Sequence, residues 1–320
     1  MRRIIVLFLI VGGLVVSSSG CGSTRDWYHL PVTQFDEIDY TRPVKTVQVR
    51  NLEVAYIEAG AENDQTLVLI HGLGSNAKAW LRNLDAWGRT HHVIALDLPG
   101  YGRSTKGDLP YSLSFYAQVI VEMLDELGVE SADWGGHSMG GQIAMLAALE
   151  YPERVERLAL FAPAGIERFE EGEGQWLRGA LTPEFVEDTT IRNIAVNLHA
   201  NFYDTPEDAE FMITDRIRIR GAEGFDEYAY AVSRNVGAMI DEPTQESLGE
   251  IAQPTLIVFG EYDQLIPNRY LHGGRSEDVG RRGEEEIPDA TLLMVDDAGH
   301  FVQFEGAEVV NPVVADFIER

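Results

Sequence analysis

Short apolar segments alternate with helical segments along most of this chain, and no other feature limits its fold so strongly. Residues 67–70, 93–96 and 158–161 contain only apolar side chains, which is typical of strands that are covered on both faces of a sheet. Between residues 113 and 127 the apolar side chains are spaced for one face of a helix. Strands that alternate with helices predict an α/β fold with a mostly parallel, doubly wound sheet.

The same pattern extends towards both ends of the chain. Residues 47–49 and 54–57 predict a hairpin, and further strands are expected at 132–135, 255–259 and 291–295. Helices are expected at 139–150 and 304–318. Residues 46–165 and 250–320 therefore form one core domain.

One block interrupts the alternation. Residues 166–249 contain no convincing buried strand, but they do contain amphipathic helical patterns that include Phe185, Ile191, Ile194 and Leu198. We therefore expect residues 166–249 to form a helical cap, inserted into the core domain after the strand that ends at Phe161.

The first twenty residues have the order of a secretory signal peptide. Arg2 and Arg3 precede an apolar run over 4–16, and small residues follow it. The run is shorter than the roughly 20 residues that a transmembrane helix needs, so we expect export and cleavage rather than a permanent span. Residues 21–45 are polar, with Pro31 and Pro43, and predict a tether.

Ser19-Gly20-Cys21 resembles the end of a bacterial lipoprotein signal, in which the cysteine is lipidated and becomes the first residue of the mature protein. Ser18 departs from that pattern, because an aliphatic residue is usual there. The resemblance implies a lipid anchor at Cys21, a membrane surface as partner and a place in the bacterial cell envelope. The alternative is an ordinary signal peptide with Cys21 beside the cleavage site.

The charge of the chain excludes one class of partner. The 52 acidic and 25 basic residues give a formal net charge of −27, so the chain is not expected to bind nucleic acid. Charge of this size is self-repulsive at low salt, which suggests that the protein works in a salty habitat. The single cysteine allows no intramolecular disulfide.

The pattern G-x-S-x-G occurs at Gly136-His137-Ser138-Met139-Gly140, between a predicted strand and a predicted helix. Glycines two residues on either side of Ser138 let the strand and the helix approach across a sharp turn that exposes the serine hydroxyl. This context favours Ser138 as a nucleophile over a chance occurrence of the string.

A serine nucleophile needs a base, and in chains with this motif a carboxylate and then a histidine follow the serine. His300 follows the last predicted strand and is the candidate base. Asp263 follows the preceding strand and is the candidate carboxylate that orients His300. Glu261 is the competing acid.

Two backbone N–H groups are expected to stabilise an oxyanion. One is that of Met139, directly after the nucleophile, and the other is that of Leu73 in the turn after an earlier strand. His71 and His137 lie next to these turns, and we expect them to form architectural hydrogen bonds rather than to act as bases.

With these segments in place, residues 47–320 resemble the α/β-hydrolase superfamily. The resemblance is carried by residues 71–74, 97–104, 136–141 and 299–300. From Ser138 to Gly165 the chain is similar to monoacylglycerol lipases and related bacterial lipases and esterases. Superfamily members with an aspartate nucleophile are set aside, because Ser138 occupies that position.

The resemblance implies a serine hydrolase that cleaves small-molecule or lipid esters through an acyl-enzyme on Ser138. It implies no cofactor, no metal and no obligate protein partner. Two alternatives stay open, namely a carbon–carbon bond hydrolase with the same triad and a non-catalytic binding protein on this fold. The cap is expected to form an acyl pocket from Trp176, Leu177, Phe202, Tyr203, Met239 and Ile240.

Overall fold

The sheet has eight strands in the part of the chain that the computed structural model describes, residues 26–170, 172–269 and 271–320. They are β1 (Lys45–Val49), β2 (Leu52–Ala59), β3 (Thr66–Ile70), β4 (His92–Leu96), β5 (Ala132–His137), β6 (Val155–Phe161), β7 (Thr255–Gly260) and β8 (Ala290–Val295). Their order across the sheet is β1-β2-β4-β3-β5-β6-β7-β8. Only the β1–β2 and β2–β4 pairs are antiparallel among these strands, so the predicted mostly parallel α/β sheet is confirmed.

The helices fall into two groups. Those of the core domain are α1 (Leu84–Trp87), α2 (Leu113–Glu126), α3 (Met139–Glu150), α9 (Ser276–Glu286), α10 (Val302–Glu305) and α11 (Ala307–Ile318). Those between β6 and β7 are α4 (Glu173–Ala180), α5 (Pro183–Asp188), α6 (Ile191–His199), α7 (Glu210–Arg218) and α8 (Phe225–Asp241). The described part of 166–249 is therefore helical, as expected for a cap.

The C-terminal helix differs from its prediction in one respect. A single helix was expected over 304–318, but the chain forms α10 and α11 with a break at Gly306. A Cβ at Gly306 would lie 2.8 Å from a methyl carbon of Val295 and 3.0 Å from the Val302 carbonyl oxygen. This close approach to β8 accounts for a glycine at the break.

The predicted tether is wrong for residues 26–45. Phe35, Ile38 and Tyr40 are buried in the main core, and the Tyr40 hydroxyl donates a hydrogen bond to buried Asp97. Burial of these three side chains stabilises an ordered path for a segment that has no regular apolar period. Residues 21–25, the predicted signal peptide and Cys21 lie outside the described residues.

Among the helices of the described residues, none is both long enough and apolar enough to cross a bilayer.

Candidate active site

Ser138 lies in the turn between β5 and α3 with φ 55° and ψ −118°, a conformation that residues with a side chain rarely adopt. The turn is tight on both sides. A Cβ on Gly136 would lie 2.2 Å from the Gly140 carbonyl oxygen, and a Cβ on Gly140 would lie 2.2 Å from the Ile70 carbonyl oxygen. Both glycines are therefore required for the strand, the turn and the helix to pack as they do.

Asp263 and His300 follow β7 and β8, whose ends are neighbours because Gly260 pairs with Val295. The distance from His300 Nδ1 to Asp263 Oδ2 is 2.8 Å, and the exposed fractions of the two side chains are 4% and 0%. An ionised carboxylate can only accept, so Nδ1 carries the proton and, in neutral imidazole, Nε2 is left free to act as a base. Glu261, the competing acid, is exposed.

The serine turn and the histidine loop meet at the same edge of the sheet. Ser138 and His300 line one cavity together with Leu73. His137 Nε2 donates a hydrogen bond of 3.0 Å to the His300 carbonyl oxygen, and the two imidazole rings are 4.7 Å apart. The structure thus brings Ser138, His300 and Asp263 to one edge of the sheet.

His71 and His137 are both buried, and burial lowers the pKa of each below its ordinary value. His71 Nδ1 donates to the Gly72 carbonyl oxygen at 2.8 Å, and its Nε2 accepts from the Leu98 N–H at 3.1 Å. These contacts are architectural, because they leave His71 no free nitrogen for proton transfer.

The loop that contains Leu73 is held by the cap. The carbonyl oxygen of Gly74, which has φ +70°, accepts hydrogen bonds of 3.1 Å from Arg216 Nη1 and from the Tyr228 hydroxyl. Arg216 lies on α7 and Tyr228 on α8, and no motif in the sequence singles them out. Met139 begins α3, where helical N–H groups have no intrahelical acceptor. The use of the Leu73 and Met139 amides for an oxyanion stays a prediction.

A cavity of about 1280 Å³ lies between this edge of the sheet and the cap. Four of the six residues predicted for the acyl pocket line it: Trp176, Leu177, Met239 and Ile240.

The predictions for Phe202 and Tyr203 are wrong, because neither side chain lines the cavity. The Phe202 ring is buried and stacks on Phe301 at 5.2 Å, and the half-exposed Tyr203 ring lies 4.4 Å from that of Tyr262. The backbone explains this placement. The carboxylate of Glu305 accepts hydrogen bonds from the Tyr203 N–H at 3.1 Å and from the Gly299 N–H at 2.7 Å, which fastens this segment to the histidine loop.

The charged side chains that line the cavity are mostly acidic. Arg216 is one of the cations, and burial lowers its pKa to about 10, so it stays charged at neutral pH. Asp215 pairs with Lys78 at 2.6 Å. The cavity lining contains five carboxylates and two guanidinium groups: Glu167, Glu170, Glu184, Asp188 and Asp215 against Arg216 and Arg269.

Comparison with known proteins places the chain in a family. The model of the alpha/beta hydrolase fold matches residues 65–307. The chain is 32% identical over 270 residues to the dihydrolipoyllysine-residue acetyltransferase component of the acetoin cleaving system of Pseudomonas putida. That match covers 83% of this chain and 66% of the relative, just under two thirds of its length.

Two further relatives carry other activities in their names. A 2-hydroxy-6-oxononadienedioate/2-hydroxy-6-oxononatrienedioate hydrolase of Burkholderia vietnamiensis is 31% identical over 278 residues, which is 84% of this chain and 92% of that protein. The solved structure of a membrane phospholipase A, a bacterial virulence factor, matches with a TM-score of 0.68 and 27% identity over 88% of this chain and 86% of that one. The chain therefore belongs to the alpha/beta hydrolase fold family, and the kind of enzyme that these similarities support is a hydrolase.

Proposed function

We propose that the protein is a serine hydrolase that cleaves carboxylic esters with a medium or long acyl chain. One observation carries this proposal, namely the position of the candidate nucleophile and base at a single cavity. Ser138, in its strained turn, and His300, hydrogen-bonded to buried Asp263, open onto one large cavity beneath the cap.

The proposed reaction has two halves. Ser138 Oγ attacks the ester carbonyl while His300 Nε2 takes its proton, and the same proton then goes to the leaving alcohol. In the second half His300 takes a proton from water, the water oxygen attacks the acyl carbon, and the same proton passes to Ser138 Oγ as the acid leaves. The amides of Leu73 and Met139 hold the oxyanion in both halves.

The size and lining of the cavity favour an extended apolar acyl group. Ligand sites commonly have volumes of about 300–1,000 Å³, and this cavity of about 1280 Å³ exceeds that range. Trp176, Leu177, Met239 and Ile240 contribute apolar surface to it. The similarity to a phospholipase A, whose name denotes ester hydrolysis, agrees with such a substrate.

A second candidate is a carbon–carbon bond hydrolase. Arg216 favours it, because a guanidinium in the cavity wall can pair with a carboxylate, and the relative from Burkholderia vietnamiensis is named for dioate substrates. A dioate carries two negative charges, and the cavity lining, which has more carboxylates than guanidinium groups, disfavours it. We therefore prefer the neutral ester.

We also propose that the chain is exported and lipidated at Cys21, on the strength of the signal-like residues 1–21. Mass spectrometry of the mature N-terminus tests this. A diacylated or triacylated Cys21 supports it, and an unmodified peptide that spans Cys21 refutes it.

A series of p-nitrophenyl esters from acetate to palmitate tests the reaction. We expect turnover that increases beyond the shortest acyl chains, and a loss of at least about 10⁴-fold in kcat for Ser138→Ala. A ring-cleavage dienoate is assayed in parallel. Turnover of the dienoate alone would favour the carbon–carbon hydrolase, and an equally active Ser138→Ala variant would remove Ser138 as the nucleophile.

A further inference from the structure

Residues 26–38, which we call the N-terminal strap, are fastened to the cap. Trp27 Nε1 donates a hydrogen bond of 2.9 Å to Glu210 on α7, and the Thr33 N–H donates one of 3.2 Å to the Arg218 carbonyl oxygen at the end of α7. Trp27 and Leu30 pack against an apolar cluster formed by α6 and α7. The strap therefore brings the beginning of the described chain to the cap.

The distance along the chain limits where an anchor can lie. Cys21 precedes Asp26 by five residues, and an extended chain spans at most about 3.6 Å per residue, which makes about 18 Å in total. An anchor at Cys21 would hold the cap, rather than the far side of the sheet, beside the membrane.

Three large apolar side chains of the cavity lining are exposed, two on the cap and one in the loop after β7. Trp176 on α4, Phe185 on α5 and Leu265 after β7 line the cavity and also reach solvent, with exposed fractions of 42%, 46% and 36%. We call these three residues the apolar rim. Side chains that line a cavity and also reach solvent mark where the cavity opens, and large apolar side chains at such an opening are typical of an interaction surface.

We propose that the apolar rim rests on a bilayer of zwitterionic phospholipid, with the strap and the anchor setting this orientation. A lipid ester then passes from the bilayer into the cavity without crossing water. This last step rests on the proposed ester hydrolysis, and the orientation rests on the proposed anchor at Cys21, whereas the contact of the apolar rim with lipid requires no turnover.

The charge of the protein selects the kind of lipid. The net charge of −27 and the exposed carboxylates of Glu170, Glu184 and Asp188 beside the rim repel anionic headgroups. Zwitterionic phosphatidylcholine carries no net charge and avoids this repulsion.

Tryptophan fluorescence can report the contact directly. Of the five tryptophans, Trp80, Trp87 and Trp134 are fully buried, so only Trp27 and Trp176 can approach lipid. The full chain, expressed with its native N-terminus, is mixed with phosphatidylcholine vesicles whose acyl chains carry bromine, a contact quencher. We expect quenched emission in the wild-type protein and at least about half of that quenching to be lost in Trp176→Phe.

Three outcomes would overturn the proposal. One is a wild-type protein that does not float with the vesicles. Another is quenching that Trp176→Phe leaves unchanged, because the rim would then face away from the bilayer. The third is stronger quenching in brominated phosphatidylglycerol vesicles, which would contradict the choice of lipid.

Docking and catalysis can fail separately. Ser138→Ala protein should be quenched as the wild type is, since the contact needs no turnover. If the ester is turned over, Trp176→Ser should lower the rate on a vesicle-borne ester at least about threefold more than the rate on a soluble ester. Val309→Ser, which removes an exposed apolar side chain from α11, is the control and should change neither rate. If Trp176→Ser lowered the rates on the vesicle-borne and the soluble ester equally, the docking role of Trp176 would be contradicted.

Discussion

Asp263 uses both of its carboxylate oxygens. Oδ2 faces His300 Nδ1 at 2.8 Å, and Oδ1 accepts the N–H groups of Leu265 and Ile266 at 2.8 and 3.1 Å. These two N–H groups can only donate, so the atom of residue 263 that faces them has to be an acceptor oxygen and not an amide nitrogen. The orientation of any residue that replaces Asp263 is therefore set by the backbone.

Asp263→Asn should lower kcat by about 10³- to 10⁴-fold with little change in fold. The Asn oxygen would face the two backbone N–H groups, so its NH₂ would point at His300 and force the proton onto Nε2. In that tautomer His300 cannot accept the proton of Ser138. Steady-state kinetics at neutral pH measure the effect. Glu261→Gln is the control, because Glu261 is exposed, and a comparable loss in that variant would contradict the assignment.

Tyr228→Phe tests whether the cap positions the Leu73 loop. The variant removes one of the two hydrogen bonds to the Gly74 carbonyl oxygen, and one such bond contributes about 1 kcal/mol, or roughly fivefold in rate. We expect that loss in kcat for a short ester with KM changed less than about twofold. Tyr262→Phe alters an exposed ring and should leave kcat unchanged. A rise in KM alone would assign Tyr228 to substrate binding instead.

The sequence could indicate the candidate catalytic residues because their signals are local. A serine between two glycines, and an acid and a histidine that each follow an apolar strand, are visible without any contact information. Arg216 and Tyr228 carry no such signal. Their role depends on two cap helices that lie over a loop 142 and 154 residues earlier in the chain, and this arrangement exists only in the folded protein.

At the scale of elements, the strands of the core were predictable and the ordered path of residues 26–45 was not. β3, β4, β6 and β7 contain continuous apolar runs, so these buried strands were found within a few residues of their ends. Phe35, Ile38 and Tyr40 have neither the period of a strand nor that of a helix, yet they are buried. Three large apolar side chains in a polar segment were the available signal, but tertiary packing decides where they lie.

The cap is also joined to the loop after β7, which carries the candidate carboxylate Asp263. His272, in the loop after β7, faces Glu167 through Nε2 at 2.8 Å and Glu173, the first residue of α4, through Nδ1 at 2.9 Å. The ring of Phe169 packs on it at 6.0 Å. Burial lowers the pKa of His272, but the hydrogen bonds and charges of both glutamates outweigh it and raise the pKa overall. The pKa of Glu167 is also raised overall, and burial is the main cause. The charge of Asp263 adds to this rise, whereas the contacts of Glu167 with Asn268 and His272 oppose it.

The contact of His272 with Glu167 and Glu173, which we call the clasp, should weaken as the pH rises. A raised pKa means that folded protein holds a proton which the unfolded chain has already lost, so the stabilisation by His272 is complete below about pH 6.5 and disappears above the folded pKa. We expect the difference in Tm between the wild type and His272→Gln to shrink from pH 6 to pH 9. Thermal unfolding at constant ionic strength measures it. His29→Gln, which changes an exposed histidine, should retain the wild-type dependence, and an unchanged slope in His272→Gln would exclude the clasp.

At the scale of the whole molecule, the excess of negative charge makes the stability of the folded protein depend on the salt concentration, which no single contact shows. Ion pairs such as Arg154–Asp125 and Arg281–Glu277 occupy part of the acidic surface, but 52 acidic residues exceed 25 basic ones by 27. Surface pairs of this kind contribute little each. The unpaired excess repels itself over a Debye length of about 10 Å at 0.1 M salt.

Tm should therefore rise with sodium chloride, and most of the rise should be complete by about 1 M, where the Debye length has fallen to about 3 Å. Screening removes a repulsion that is larger in the compact protein than in the expanded chain, because the same charges are closer together. Sucrose is the control, since it stabilises by exclusion from the surface without screening. Sucrose should not reproduce the early, saturating rise. A Tm that stays flat or falls between about 0.1 and 2 M salt would show that the ion pairs outweigh the acidic excess, and a salty habitat would lose its physical basis.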